Sequence, residues 1–479
     1  MVAGETTPLI DAEAAAGICC VRTRRSATVL VLVLLTLHVI LREASSQSVP
    51  SLLPEIDADG FQHAIRHLPG IGKFGSVLGK LATIFIIDAF GVRAVLGTSA
   101  MVSGTAMILM SLCSPASWPW PAMIWAVSTF CNAMVWGSGS RIVASWADAA
   151  FLGRGVMVFG LAYDFGDVFA TLFYSTMSAV TTWRVCFAVV GSLYTTQGVI
   201  GAMLLRGRPA DAGFEPASRR GSGSGSGTDG ARAPHPFDAL SLSSAVCLLC
   251  SLGRTWIGVL TNIGFGVYDG FMEYVTSYAT SELGYSTSAA DLLLTLASLS
   301  SSAGTLAAGA ARDLLPPRAT RTLALAVSAC FVAVCGALLT AQLSGQLGAM
   351  SWLLPLAVLV GRLSVGVQWN VMLTVWALEL SGPRHASTLM GMMDVLSSAA
   401  AVPSAFWIGN RAAAGDWGSA LLPPLLAGAV GHLGINLINF VCVDLPPPST
   451  ATTAASDSEV GRRDGTEKES STGEVLSKP

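Results

Sequence analysis

About twelve apolar stretches, each near twenty residues long and separated by charged or Pro/Gly-rich breaks, constrain this chain more than any other feature. They run over approximately 27–47, 70–87, 94–113, 119–143, 155–177, 185–206, 256–279, 288–311, 321–342, 352–380, 386–409 and 419–443. A helix of about 20 residues crosses a hydrocarbon core of about 30 Å. Lipid offers the backbone no hydrogen-bond partner, so each stretch must close its own amide bonds. The expected fold is therefore an all-α membrane protein with twelve transmembrane helices. Only 12% of the residues are charged, against about 25% in soluble domains. The net charge of −3 gives no footing for nucleic acid. The ten cysteines, including Cys247, Cys250, Cys330 and Cys335, show no metal-ligand or secreted-framework spacing and read as reduced packing residues.

An even number of spans puts both ends on one side, and the Lys/Arg bias of short loops names the side. Arg22, Arg24 and Arg25 precede the first span, and Arg93, Arg154, Arg318, Arg321 and Arg384 fall in alternate loops on that face. The opposite loops carry Arg66, Arg184 and Arg411 beside Glu55, Asp57 and Asp59. Both termini are expected in the cytosol, and the first stretch, lacking a small-residue cleavage site, is expected to be retained. The organisation reads as a cytosolic tail over 1–25, a six-helix bundle over 26–206, a tether over 207–250, a second bundle over 251–444 and a polar tail over 445–479. The tether contains Gly221-Ser222-Gly223-Ser224-Gly225-Ser226-Gly227, a composition that behaves as flexible coil.

The two halves resemble each other. Asp88 and Arg93 follow the second span, and Asp313 and Arg318 follow the eighth, five apart in each case. Trp146-Ala147 precedes Arg154 by eight residues, as Trp376-Ala377 precedes Arg384. Both pairs of motifs share an offset near 225–230 residues. A duplicated six-helix unit follows, giving two pseudo-symmetric bundles with a site at their interface near the midplane.

The Asp88–Gly91–Arg93 loop, its partner at Asp313–Arg318 and the six-plus-six layout resemble the major facilitator superfamily. The resemblance implies that Asp88, Arg93, Arg154, Asp313, Arg318, Glu379 and Arg384 act as latches while the bundles rock about a central site. Three further stretches resemble the organophosphate:phosphate antiporters: Arg42 followed eight residues later by Pro50, Pro209-Ala210-Asp211-Ala212-Gly213-Phe214-Glu215-Pro216, and Ala377-Leu378-Glu379-Leu380 with Pro383, Arg384 and Gly391. In that group Arg42 corresponds to a substrate-binding arginine and Lys80 to a cavity lysine. Tyr268 stands where a second phosphate-binding arginine is expected, so one jaw of the phosphate clamp is missing.

A charge at the bilayer centre costs at least ~2.5–3.5 kcal/mol, so each is expected to face a cavity or a partner. Arg42 is the leading substrate residue, because a guanidinium holds two oxygens of an anion in a fixed fork; its alternative is a pair with Glu43. Lys80 is a second candidate, with a nearby acid such as Asp164 or Asp167 as the alternative partner. Arg362, Tyr268 and Tyr163 complete the substrate candidates. Asp164, Asp167, Asp269 and Glu273 are candidates for proton coupling, since a carboxyl in low dielectric exchanges a proton more readily than one in water. His38 and Trp136 read first as packing residues, and Gly79, Gly137, Gly139, Gly304 and Gly309 as points of close helix approach.

Glu5, Leu9 and Ile10 resemble an acidic dileucine sorting signal, which implies a sorting adaptor and a lysosomal or vacuolar membrane, with endoplasmic reticulum or plasma membrane as alternatives. No nucleotide loop, metal spacing or nucleophile–base pair is present, so neither an enzyme nor a cofactor or metal is expected. The leading functional expectation is a secondary carrier of a small organic anion, a sugar or polyol phosphate exchanged for phosphate. The alternatives are a proton-coupled carrier of a dipeptide or carboxylate in an acidic organelle, and a non-transporting sensor on the same fold. Nothing in the sequence calls for an oligomer, so a monomer is the default.

Overall fold

The computed structural model describes residues 23–442, apart from 62–63, 148–151, 215–241, 252, 316, 347–349 and 369–373. Among the described residues every regular element is helical. The first half holds α1 (Arg24–Ala58), α2 (Ala64–Phe90), α3 (Val92–Ser111), α4 (Trp120–Trp146), α5 (Leu152–Ser178) and α6 (Trp183–Leu204). The second half holds α7 (Leu242–Ser251), α8 (Gly253–Met272), α9 (Val275–Ser281), α10 (Thr287–Leu314), α11 (Pro317–Leu343), α12 (Leu353–Val365), α13 (Thr374–Ala412) and α14 (Trp417–Cys442). Eight of them, α1, α2, α3, α5, α6, α10, α11 and α13, are long and apolar enough to cross a membrane.

Local chemistry sets several boundaries. Thr23 and Ser286 cap α1 and α10 by accepting from the amides of Ser26 and Ala289, which satisfies an otherwise orphaned donor. Gly91, at φ +78°, reverses the chain between α2 and α3, a conformation that favours glycine. Three stretches differ from the hydropathy reading. The seventh span is broken at Glu273–Tyr274 between α8 and α9, α7 begins inside the segment expected to be tether, and α13 runs through the polar residues 381–385 expected to divide the tenth and eleventh spans. Hydropathy measures composition within a window; it does not register whether a helix stops.

Large apolar side chains such as Phe85, Leu109, Leu172 and Met203 are exposed on the outer surface, the arrangement lipid requires. Cys247, Cys250 and Cys330 also face outward, which corrects their reading as buried packing residues; Cys131, Cys186 and Cys335 are buried. Small residues bring the helices together, because lipid supplies little hydrophobic drive between them and close van der Waals contact must do so. The repeat is visible in this packing. Gly79 on α2 sits against Phe130 and Ala133 of α4, and Gly304 on α10 sits against Leu363 of α12 and Val367 just beyond its end.

The halves meet along two seams. In one, α2 lies on α13, with Gly70 under Phe406 and Gly391 beside Ile84. In the other, α5 lies on α10, with Gly309 beside Met157. A side chain at Gly79 would place its Cβ 2.9 Å from that of Ala133, whereas at Gly336 nothing lies within 4 Å. Overpacking costs about 1–3 kcal/mol or more. Gly79→Leu and Gly304→Leu are therefore expected to elute as aggregates in size-exclusion chromatography, with Gly336→Leu eluting as the unaltered protein does.

A charged layer between the halves

Arg42 projects from α1 within the first half and is held from three sides. Its guanidinium pairs with Glu43, its Nε donates to the Asn132 carbonyl at 3.2 Å, and it lies 5.3 Å over the Tyr163 ring. Tyr163 is packed edge-on against Trp136 at 4.6 Å and Phe159 at 5.3 Å. The side chain of Asn132 is itself fixed: its Nδ2 donates to Ser45 at 3.0 Å and its Oδ1 accepts from Ser103 at 2.9 Å. The oxygen that accepts from Arg42 is the main-chain carbonyl of the same residue.

The remaining charges pair across the two halves. Lys73 on α2 bridges Asp269 and Glu273, both at 2.6 Å, where the seventh span breaks. Lys80, two turns further along α2, reaches Asp394 at 2.7 Å and donates to Ser398 at 2.6 Å on α13. Asp167 on α5 accepts from Gln47 at 2.9 Å and lies 3.7 Å from Arg362 on α12. Asp164, one turn before Asp167, accepts from Thr305 on α10 at 3.4 Å. Among the described residues, four cations (Arg42, Lys73, Lys80, Arg362) thus share this layer with six acids (Glu43, Asp164, Asp167, Asp269, Glu273, Asp394).

The cations are not equally committed. Lys73 and Lys80 make ion pairs at hydrogen-bonding distance. Arg362 stands beyond hydrogen-bond length from its carboxylate, and its Nε is buried without a partner. An unmet donor on a buried guanidinium is costly, and a ligand oxygen is one group that can meet it. A shallow recess lined by Lys80, Asp394, Trp136, Gly137 and Gly391 opens beside the layer.

The two halves thus meet at seams along α2/α13 and α5/α10, with a polar layer at their junction. A family model for the Major Facilitator Superfamily matches residues 62–405. The chain belongs to the major facilitator superfamily. Solved structures of superfamily carriers share the fold at low identity. A D-xylose–proton symporter superposes with a TM-score of 0.62 at 14% identity, covering 87% of this chain and 97% of its own. A bacterial homologue of the human lysosomal transporter Spinster, inward-facing and unoccupied, gives 0.58 at 14% identity, covering 87% and 96%. The E. coli fucose–proton symporter gives 0.57 at 13%, covering 86% and 99%. No curated relative matches the sequence.

Within this superfamily member, the structure brings together Arg42, Tyr163, Lys80, Arg362, Asp164, Asp167, Asp269 and Glu273. Tyr268 stands apart: its hydroxyl donates to the Val358 carbonyl at 3.0 Å and its ring packs on Phe271 and Phe331. The expected alternative partner of Lys80, Asp164 or Asp167, is replaced by Asp394, because α2 lies against α13 and α5 against α10. Sequence reasoning missed Lys73 and Asp394. Lys73 precedes Lys80 by seven residues, two turns on one helix face, and Asp394 follows Asp164 by 230, the offset of the repeat.

Among the latch candidates, Asp88 pairs with Arg141 at 2.5 Å. Arg93 donates to the carbonyls of Ala202 and Met203 at the end of α6, at 2.6 and 3.4 Å. Both contacts stay within the first half. The side chains of Arg154, Asp313, Arg318, Glu379 and Arg384, and the whole of Glu5, Leu9 and Ile10, lie outside the described residues. His38 is fully buried edge-on to Tyr194 at 5.5 Å, the packing arrangement.

Proposed function

We propose that this superfamily member is a proton-coupled secondary carrier of a small organic anion, with the anionic group of the cargo held at Arg362 and Arg42. The observation that carries the reading is the excess, among the described residues, of six acids over four cations in the layer between the halves. A phosphate dianion entering that layer would meet cations already neutralised, and Tyr268 contributes no second clamp. A carboxylate or similar anion fits if protons travel with it, because protonated acids remove the surplus negative charge. Arg362, with its unmet Nε donor, offers the binding capacity, and Arg42 over the Tyr163 ring offers a second guanidinium.

Reconstitution into liposomes tests this. An imposed inward proton gradient is expected to drive accumulation of a labelled dicarboxylate or dipeptide, with no response to inorganic phosphate on the opposite side. Phosphate-for-sugar-phosphate exchange that ignores the gradient would overturn the reading in favour of the antiporter one.

Glu5, Leu9 and Ile10 support placement in a lysosomal or vacuolar membrane with both termini in the cytosol, where the acidic lumen supplies protons for export. Replacing Leu9 and Ile10 together by alanine is expected to move a fluorescently tagged chain to the plasma membrane. Unchanged organelle staining would remove the sorting role.

A further inference from the structure

Behind Arg362 lies a buried ring of polar side chains that the charged layer does not use. His432 on α14 engages Ser364 on α12 through Nδ1 at 3.1 Å and the Gln368 carbonyl oxygen through Nε2. The Gln368 amide donates to Asn436 on α14, and Asn436 donates to Ser328 on α11 at 2.6 Å. Ser328, 3.5 Å from Ser364, closes the ring. All five side chains are buried. The donors run one way round it: the Gln368 oxygen accepts from His432 Nε2–H, which leaves Nδ1 to accept from the Ser364 hydroxyl.

The ring sits on the back of the helix that carries Arg362. Ser364 is two residues beyond Arg362, about 200° around α12 and so on the opposite face. Gln368 lies in the π turn formed by 366–368, immediately after α12, a local winding that needs outside support. The same helix is held from two more sides. Tyr268 of α8 donates to the Val358 carbonyl at 3.0 Å, one turn before Arg362, and Ser300 of α10 donates to the Leu359 carbonyl at 2.8 Å. The guanidinium itself stands 3.7 Å from Asp167 with its Nε unmet, so its direction is set by how α12 is turned.

We infer that the His432 ring is a positioning device: it fixes the roll of α12 and so aims the Arg362 guanidinium into the layer between the halves. This rests on the reading of Arg362 as a cargo residue above. Apolar packing alone fixes roll poorly where the surrounding lipid is as apolar as the side chains, whereas a fully satisfied buried network specifies one arrangement. The first half repeats the device. Ser103 precedes Ser328 by 225 residues, the offset of Gly79 and Gly304. Ser103 lies 3.2 Å from Ser45 and 2.9 Å from Ser128, and it donates to Asn132, whose main chain accepts from Arg42. Each guanidinium thus has at its back a polar cluster that includes the same position of the repeat.

The test separates aim from stability. His432→Leu strands Ser364 and Gln368 without their partner and is expected to lower the melting temperature and raise the KM for labelled succinate uptake into liposomes. Making the ring apolar as a set, Ser364→Ala, Gln368→Leu, His432→Leu and Asn436→Leu, removes the stranded groups. That variant is expected to recover the melting temperature while its KM stays raised by up to about 100-fold, the scale that a misplacement of roughly 1 Å carries. A ring that only stabilised the fold would lower the maximal rate in proportion to folded protein and leave KM alone. Magnetic resonance spectra of the full-length protein, isotope-labelled at arginine nitrogen, read the residue without cargo. The Arg362 Nε–H signal, assigned by its loss in Arg362→Lys, is expected to shift or broaden in both ring variants while other arginine signals hold. An unmoved Arg362 signal or an unaltered KM in a folded variant overturns the proposal. If both variants aggregate, Ser364→Ala alone, which removes one hydroxyl, decides by the same readings. If the signal moves as expected while the unaltered protein takes up no succinate, the transport reading falls and the positioning role stands.

Discussion

Replacing Arg362 by glutamine will reduce proton-driven uptake by roughly 30-fold to several-thousand-fold while leaving the protein folded. The range follows from the about 2–5 kcal/mol lost when one partner of a buried, hydrogen-bonded charge pair is removed, at about 1.4 kcal/mol per tenfold. Folding survives because Arg362 makes no hydrogen-bond-length ion pair in the described structure: its carboxylate partner is 3.7 Å away and its Nε is unmet. Asp167 keeps its hydrogen bond from Gln47 at 2.9 Å. Lysine at this position keeps the charge but lacks the planar fork, so Arg362→Lys is expected to retain weak uptake with a raised KM. Labelled dicarboxylate uptake into liposomes measures both variants, and uptake by Arg362→Gln at the unaltered rate would remove this residue from the site.

The second large effect concerns Lys80 and is one of stability. Lys80 and Asp394 form a partly buried pair at 2.7 Å between the halves. Removing one member of a buried pair costs about 3–5 kcal/mol, because the other is left charged and uncompensated, whereas replacing both by apolar residues is often neutral or stabilising. Lys80→Met is therefore expected to unfold in detergent at a markedly lower temperature than the unaltered protein, and Asp394→Leu likewise. The double variant is expected to recover most of the loss, and a double variant no more stable than either single would show that the two side chains are not energetically coupled. The same double variant should transport poorly, since an apolar seam at this point would favour the closed arrangement of α2 on α13.

How far the sequence can be read differs between fold and site. Twelve apolar runs imply helices because lipid leaves the backbone no other satisfied state, and the Asp–Arg and Trp–Ala spacings expose a repeat without any structure. Arg42, Lys80, Arg362 and Asp167 could be named because a charge in an apolar run is improbable unless it has a use. Hydropathy could not place the break at Glu273, since the residues on both sides are equally apolar. Tyr268 was nominated by alignment to a binding position, yet its hydroxyl is spent on the Val358 carbonyl. Lys73 was overlooked because it lies near the start of a span, where a lysine can reach the interface without penalty.

Sequence alone settled what kind of molecule this is: a helical membrane chain built from two copies of one unit, with a short roster of charges that must face inward. Tertiary structure decided which charges meet. Lys73 finds Asp269 196 positions away and Lys80 its serine 318 away, partnerships no local pattern encodes. The reason is physical. Whether a segment is a helix in lipid depends on its own backbone and side chains, but an ion pair depends on the approach of two helices whose glycines and crossing points are written far apart. From that approach follow the lysine pairs between the halves and the unmet nitrogen of Arg362.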